Sequence, residues 1–222
     1  MADPIGLIFD LDGTLIDSAP DIHATANKVF AAHGFPGFDF PTVRGFIGNG
    51  VGVLVARLLA HQGRPVAGDL HRKMVGDFIN SYEEAVDLTK LYPNVREALA
   101  TLADLGHPLA ICTNKPAGPA RSVLRHFGLD QHFAVIVGGD TLPQRKPDPA
   151  PLLAAQVQLA CDRVLFVGDS EVDAETAQGA ALPFALFTNG YRNSAAEALG
   201  AKAIFDDFVA LPGLVAHLSG RL

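Results

Sequence analysis

Ile5-Gly6-Leu7-Ile8-Phe9-Asp10-Leu11-Asp12-Gly13-Thr14-Leu15-Ile16-Asp17-Ser18 is an apolar run that ends abruptly in carboxylates. Its first part, Ile5 to Asp10, has the composition of a strand buried on both faces. Side chains on a strand repeat with period two, so Asp10 and Asp12 leave it pointing the same way. Gly13 lets the chain turn sharply straight afterwards. Two carboxylates held this close repel, so they need a cation or one of them must keep a proton. An ionised carboxylate is a nucleophile and a protonated one is an acid, so either outcome is chemically useful. Asp-Gly is also a common turn dipeptide; what favours chemistry is its place at the end of a buried strand.

Further along the chain, 108–113, 134–137, 164–169 and 184–188 are similar short apolar runs. Helical spacing of apolar residues predicts helices near 93–105, 115–127, 149–160 and 172–181. Strands alternating with helices predict an α/β fold, a doubly wound (Rossmann-like) parallel sheet whose ligand site lies beyond the strand C-termini. One connection breaks the rhythm: after Asp10 the next strand is expected only at about Pro108. The intervening 18–88 carries helical stretches at 20–33, 50–61 and 68–86, punctuated by Phe35-Pro36-Gly37 and Arg64-Pro65. This predicts an all-helical cap inserted after the first strand, with 1–17 and 89–222 forming the core, placed where a lid would sit.

Composition sets the limits. The chain has 222 residues, 49% apolar and 18% charged, enough to bury a core and unlike a disordered segment. The net charge is −7 with scattered cations, which argues against a nucleic-acid footprint. An acidic protein acting on an anion needs a local device to hold it, usually a divalent cation. Cys112 and Cys161 form no C-x-x-C pair, and both are expected to be buried core filling. The eight histidines show no metal-ligand spacing. Met1-Ala2-Asp3-Pro4 lacks a basic leader and no run is long enough to span a bilayer, so a cytoplasmic protein without a membrane partner is expected. A monomer or a homodimer is expected.

Asp10-Leu11-Asp12-Gly13-Thr14, with Asp17-Ser18 following, resembles the first motif of the haloacid dehalogenase superfamily in its phosphatase form. The resemblance implies that Asp10 is a nucleophile forming an aspartyl-phosphate. It implies that Asp12 is the general acid/base and a Mg²⁺ ligand through its backbone carbonyl. Thr113-Asn114 resembles the second motif, a hydroxyl that binds the phosphoryl group. Lys146-Pro147-Asp148-Pro149 resembles the third, a cation for that group; Lys115 is a weaker competitor. Gly168-Asp169-Ser170-Glu171-Val172-Asp173 resembles the fourth, with Asp10, Asp12 and Asp169 as the implied Mg²⁺ ligands. Asp173 and Ser170 would then orient waters or Lys146 from behind. Hard oxygen ligands with open water positions suit Mg²⁺.

Within the insert, Arg44-Gly45-Phe46-Ile47-Gly48-Asn49-Gly50-Val51-Gly52 is the most unusual stretch. It is no dinucleotide fingerprint, because no strand precedes it. Its glycines lead into a helix, so their amides could meet an anion. The segment is similar to the cap of the bacterial phosphoglycolate phosphatases, with Ile47-Gly48-Asn49-Gly50 matching best. That implies a small phosphate ester bearing a carboxylate, with Arg44, Gly48, Asn49, Gly50 and Asn114 as substrate-binding candidates. The fourth motif departs from this subgroup, which more often has Arg-Asn before the last Asp, and Gly190-Tyr191-Arg192-Asn193 matches its Gly-Tyr loop only in part. Two alternatives stay open: another capped phosphatase or phosphomutase acting on a sugar phosphate or pyrophosphate, and a receiver-like phospho-acceptor signalling domain. A receiver has no need of so long an insert after its first acidic strand.

Overall fold

The structure is a computed structural model that describes residues 4–83 and 85–220. The leader residues Met1-Ala2-Asp3 and the last two positions of the predicted core lie outside the described residues, as does position 84 within the predicted 68–86 helix.

Six strands form one sheet. They are β1 (Gly6–Phe9), β4 (Leu109–Cys112), β5 (Phe133–Val137), β6 (Val164–Gly168), β7 (Phe184–Phe187) and β8 (Ala203–Phe205). Their order is β5-β4-β1-β6-β7-β8 and every neighbouring pair is parallel. The chain winds outward from β1 in one direction and then from β6 in the other, so the order reverses between β1 and β6. That crevice is where open α/β sheets bind ligands.

Both sheet faces are apolar, as parallel sheets require. Along β1, Leu7 and Phe9 join one core, packed by α5 (Val95–Asp104), α6 (Ala117–His126) and α9 (Leu211–Ser219). Ile8 joins the other, packed by α7 (Ala150–Leu159) and α8 (Glu171–Gly179). The insert carries α1 (Ala19–Ala32), α2 (Phe40–Arg44), α3 (Val51–His61) and α4 (Asp69–Tyr82). Its own core runs from Ile22 to Tyr82 and includes Phe30, Leu58, Met74 and Phe78.

Two short strands correct the expectation that no strand lies between Asp10 and Pro108. β2 (Ile16–Asp17) and β3 (Lys90–Leu91) pair antiparallel, Ile16 opposite Leu91 and Asp17 opposite Lys90. They clip together the two chain segments that enter and leave the insert. Asp21 on α1 reinforces the clip, its Oδ2 accepting from Thr89 N at 2.7 Å, Thr89 Oγ1 at 2.6 Å and Leu88 N at 3.1 Å. Cys161 is also a correction: it is part-exposed, because it follows the end of α7 rather than sitting in the core. Cys112 is buried in β4, and burial pushes its thiol up to about 12. Among the described residues, no helix is long and apolar enough to cross a membrane.

Candidate active site

The site is built at the C-terminal ends of β1, β4 and β6. Asp10 follows β1, and its N–H still donates to Val167 O of β6 at 2.9 Å, which fixes it against the β6 terminus. Gly13 has φ +90°, a left-handed geometry that glycine adopts without strain. A Cβ there would lie 2.5 Å from Asp169 Oδ2, so the turn also depends on glycine for space. The turn brings Thr14 to Asp169, with Thr14 Oγ1 donating to Oδ1 at 2.7 Å. The N–H of Tyr191, on the loop after β7, donates to Asp169 Oδ2 at 2.6 Å.

Lys146 sits between two carboxylates, its Nζ 2.9 Å from Asp10 Oδ1 and 2.7 Å from Asp173 Oδ1. Asp173 is held by the start of α8. Its Oδ2 accepts from Asp169 N at 3.2 Å, Ser170 N at 3.1 Å and Ser170 Oγ at 2.7 Å, and Ser170 Oγ caps the helix in return. With all these donors satisfied, Asp173 positions Lys146 and the β6 terminus and has little capacity left for a ligand.

Electrostatics follow from burial. Desolvation raises the Asp10 carboxyl from 3.8 to about 6, against the opposing pull of Lys146. Desolvation, with Asp173 and Asp10 nearby, pushes Asp169 well above the usual carboxylate range. Burial draws Lys146 down, but the Asp10 and Asp173 charges outweigh it and hold the ammonium above its ordinary value. Oxygens of Asp10, Asp169 and Asp173 all lie within 4.8 Å of one another. Asp10 Oδ1 is buried, and it faces the Lys146 ammonium at 2.9 Å without a well-aligned hydrogen bond. Crowded buried carboxylates of this kind fit a hard divalent cation, whose charge would offset their mutual repulsion.

Asp10, Asp12, Thr113, Asn114 and Lys115 line a cavity of ≈ 40 Å³ with Ile47, Gly48, Gly50, Val51, Phe78 and Tyr82 of the insert. Thr113 Oγ1 accepts from Lys115 N at 3.2 Å, which leaves its hydroxyl hydrogen free to donate elsewhere. Asn114 Nδ2 bridges the two parts of the protein, donating to Gly48 O and Lys146 O, each at 2.9 Å.

Arg44 and Asn49 do not line this cavity. Arg44 Nη2 instead donates to Gly190 O at 2.7 Å, and its guanidinium lies 5.2 Å from the Tyr191 ring centroid.

Thr14, Ser18, Tyr82 and Tyr191 were given no role from sequence, and Lys115 only that of a competitor to Lys146. Ser18 Oγ donates to Asp12 Oδ1 at 2.6 Å. Tyr191 Oη, on the loop after β7, accepts from Ser18 N at 2.8 Å and Ala19 N at 3.0 Å, capping α1. The same hydroxyl donates to Asp17 Oδ1 at 2.9 Å. Lys115 Nζ lies 3.1 Å from Asp12 Oδ1 and also contacts the Tyr82 hydroxyl. Thr14 and Ser18 stand inside the first quoted stretch, so proximity to Asp12 was their signal; Tyr82 carries none.

A family model described as Haloacid dehalogenase-like hydrolase matches residues 7–187. A phosphoglycolate phosphatase of Cereibacter sphaeroides is 49% identical, over 96% of this chain and 98% of that protein. The crystal structure of a predicted phosphoglycolate phosphatase from Haemophilus somnus superposes with a TM-score of 0.89 at 32% identity, covering 97% of this chain and 99% of that one. CbbY from Rhodobacter sphaeroides, solved in complex with phosphate, gives a TM-score of 0.81 at 26% identity, covering 95% and 96%. With its acidic crevice between β1 and β6 and this match across most of its length, the chain belongs to the haloacid dehalogenase-like hydrolase family.

Proposed function

We propose that the protein is a Mg²⁺-dependent phosphatase that hydrolyses 2-phosphoglycolate to glycolate and phosphate. The observation that carries the reaction is the convergence of Asp10, Asp12 and Thr113 on one small cavity, with Lys146 against Asp10. The full-length similarity to phosphoglycolate phosphatases supports the substrate. The core, 1–17 and 89–222, supplies the chemistry, and 18–88 acts as a cap that closes the cavity from above.

Asp10 attacks phosphorus in line, and the bond to the leaving glycolate oxygen breaks as Asp12 gives that oxygen its proton. Water then attacks the aspartyl-phosphate; Asp12 takes the water's proton, and Asp10 is regenerated as phosphate leaves. Thr113 Oγ donates to a phosphoryl oxygen, and the Lys146 ammonium offsets charge beside Asp10. Ser18 holds the Asp12 carboxyl in place. Asp10, Asp169 and the Asp12 carbonyl would hold Mg²⁺, which when bound offsets phosphate charge and leaves Asp10 ionised.

The test is kcat/KM for phosphate release across 2-phosphoglycolate, glucose phosphates, pyrophosphate, phosphoglycerate and p-nitrophenyl phosphate. Phosphoglycolate is expected to lead by at least ~100-fold. A flat panel would leave the phosphatase chemistry standing and remove the substrate. Product isomerisation without phosphate release would favour the phosphomutase alternative.

Two further results are expected. Protons and Mg²⁺ compete for the same carboxylates. Because Asp10 without metal titrates at about 6, Mg²⁺ should raise Tm little at pH 5 and clearly at pH 7.5; a shift that shrinks as pH rises would contradict the assigned ligands. A Cβ on Gly190 would lie 2.2 Å from Asp169 Oδ2 and 2.3 Å from its Cβ. Gly190→Ala must therefore displace Asp169 or the Tyr191 loop. It should cost roughly 100-fold in kcat/KM, since small misplacements at a reacting centre are that damaging; full activity would show that Asp169 need not sit where it does.

A further inference from the structure

We propose that Lys115 is the residue that reads the substrate carboxylate, and hence the one that sets specificity. This rests on the phosphoglycolate reading above. A small ester with a phosphate at one end and a carboxylate at the other needs two cationic centres. Lys146 is at the Asp10 end. Among the described residues lining the cavity, Lys115 is the one cation. It is nearly inaccessible to solvent, at 6% exposure, and a lysine is buried this far only when paired, here with Asp12 at the cavity wall.

The geometry places Lys115 well for this task. Its backbone N–H donates to Thr113 Oγ1 at 3.2 Å, so one loop after β4 carries both the phosphoryl-binding hydroxyl and the second cation. Its Nζ contacts two residues: Asp12, at 3.1 Å from Oδ1 and a long 3.5 Å from Oδ2, and the Tyr82 hydroxyl. An ammonium has three N–H donors, so the one on the long Oδ2 contact can turn to a substrate carboxylate while the two shorter contacts hold. Nζ also lies 3.9 Å from the Tyr82 ring centroid, so α4 of the cap fixes its position. Asp12 already demonstrates that this ammonium accepts a carboxylate partner. Arg44, the cation that the sequence offered for the role, is occupied by Gly190 O and the Tyr191 ring, outside the cavity.

Lys115 also touches Asp12, so a loss of rate alone would not separate carboxylate recognition from support of the acid. The ratio of two substrates does. Phosphoglycolate and 2-hydroxyethyl phosphate share the phosphate and differ in the charge at the far end. Wild type should prefer phosphoglycolate strongly. Lys115→Met should reduce that preference by ~10–100-fold, the size expected for losing a hydrogen bond to a charged group, with most of the change in KM. Lys115→Arg should restore part of the preference, and Arg44→Ala should slow both substrates together. Lys115→Gln is the second variant should the methionine form fail to fold. If Lys115→Met and Lys115→Gln slow both substrates by the same factor, Lys115 acts only through Asp12 and the proposal is overturned. It is equally overturned if the preference collapses in Arg44→Ala and survives at Lys115. A wild type that shows no preference removes the phosphoglycolate reading and this proposal with it, whereas a preference that survives in the Lys115 variants removes the proposal alone.

Discussion

Asp10→Asn is expected to lower kcat by at least about 10⁴-fold while leaving the fold intact. The amide keeps the shape of the side chain but cannot form an acyl bond to phosphorus. Stability should move the other way. Without metal, desolvation holds the folded Asp10 carboxyl at about 6 instead of 3.8. A carboxyl raised on folding contributes stability below its unfolded value and loses it as pH rises through the folded value. The buried charge at pH 7.5 therefore costs about 3 kcal/mol, to order of magnitude. Asn carries no such cost. The metal-free variant should melt at or above wild type at pH 7.5, and the difference should narrow as pH falls from about 6 toward 3.8. Scanning calorimetry at pH 4.5 and 7.5 with chelator checks this. A variant that is both inactive and much less stable would mean that Asp10 is structural.

Lys146→Met is expected to be the most damaging single change to the folded protein. Lys146 is 3% exposed and pairs with Asp10 and Asp173 at once. Removing one partner of a buried ion pair typically costs about 3–5 kcal/mol, because the remaining charge keeps its desolvation penalty. For a chain of this size that is a fall in Tm of roughly 6–20 °C. The loss should ease as pH drops and Asp10 takes up a proton. Adding Asp173→Asn to the methionine variant should recover part of it, since the second orphaned carboxylate is then gone. Activity should stay low in both. A melting temperature unchanged from wild type would show that the two short contacts contribute nothing net.

Much of this architecture was legible in the sequence, for a physical reason. Strands buried on both faces must be apolar throughout, so β1, β4, β6 and β7 stand out as runs, and the edge strand β5, fully buried only at alternate residues, is apolar as well. The groups that follow such strands, Asp10, Thr113 and Asp169, are placed by the topology itself. The helices α2 and α9 were not read, and neither were three strands whose order comes from tertiary contact. β2 and β3 have two residues each and no periodicity to detect. β8 has three residues at the sheet edge, with Ile204 facing solvent, so it reads as neither buried run nor alternation. Contacts between residues far apart in the chain were equally hidden. Lys115 meets Tyr82 across 33 positions and Asp12 across 103, and Tyr191 meets Asp17 across 174. Arg44 shows the converse: its residue type suited the substrate carboxylate, but packing turned it to Gly190 O.

The central claim is that Asp10 carries the phosphoryl group during turnover. Its most direct test is to quench the Mg²⁺-loaded enzyme with borohydride while it hydrolyses phosphoglycolate, then map the digest by mass spectrometry. Borohydride reduces an acyl phosphate to the alcohol, so the account predicts homoserine at position 10, present only with substrate and absent from Asp10→Asn. Rapid phosphate release with position 10 unmodified, or with the reduced residue at Asp12 or Asp169, would contradict it.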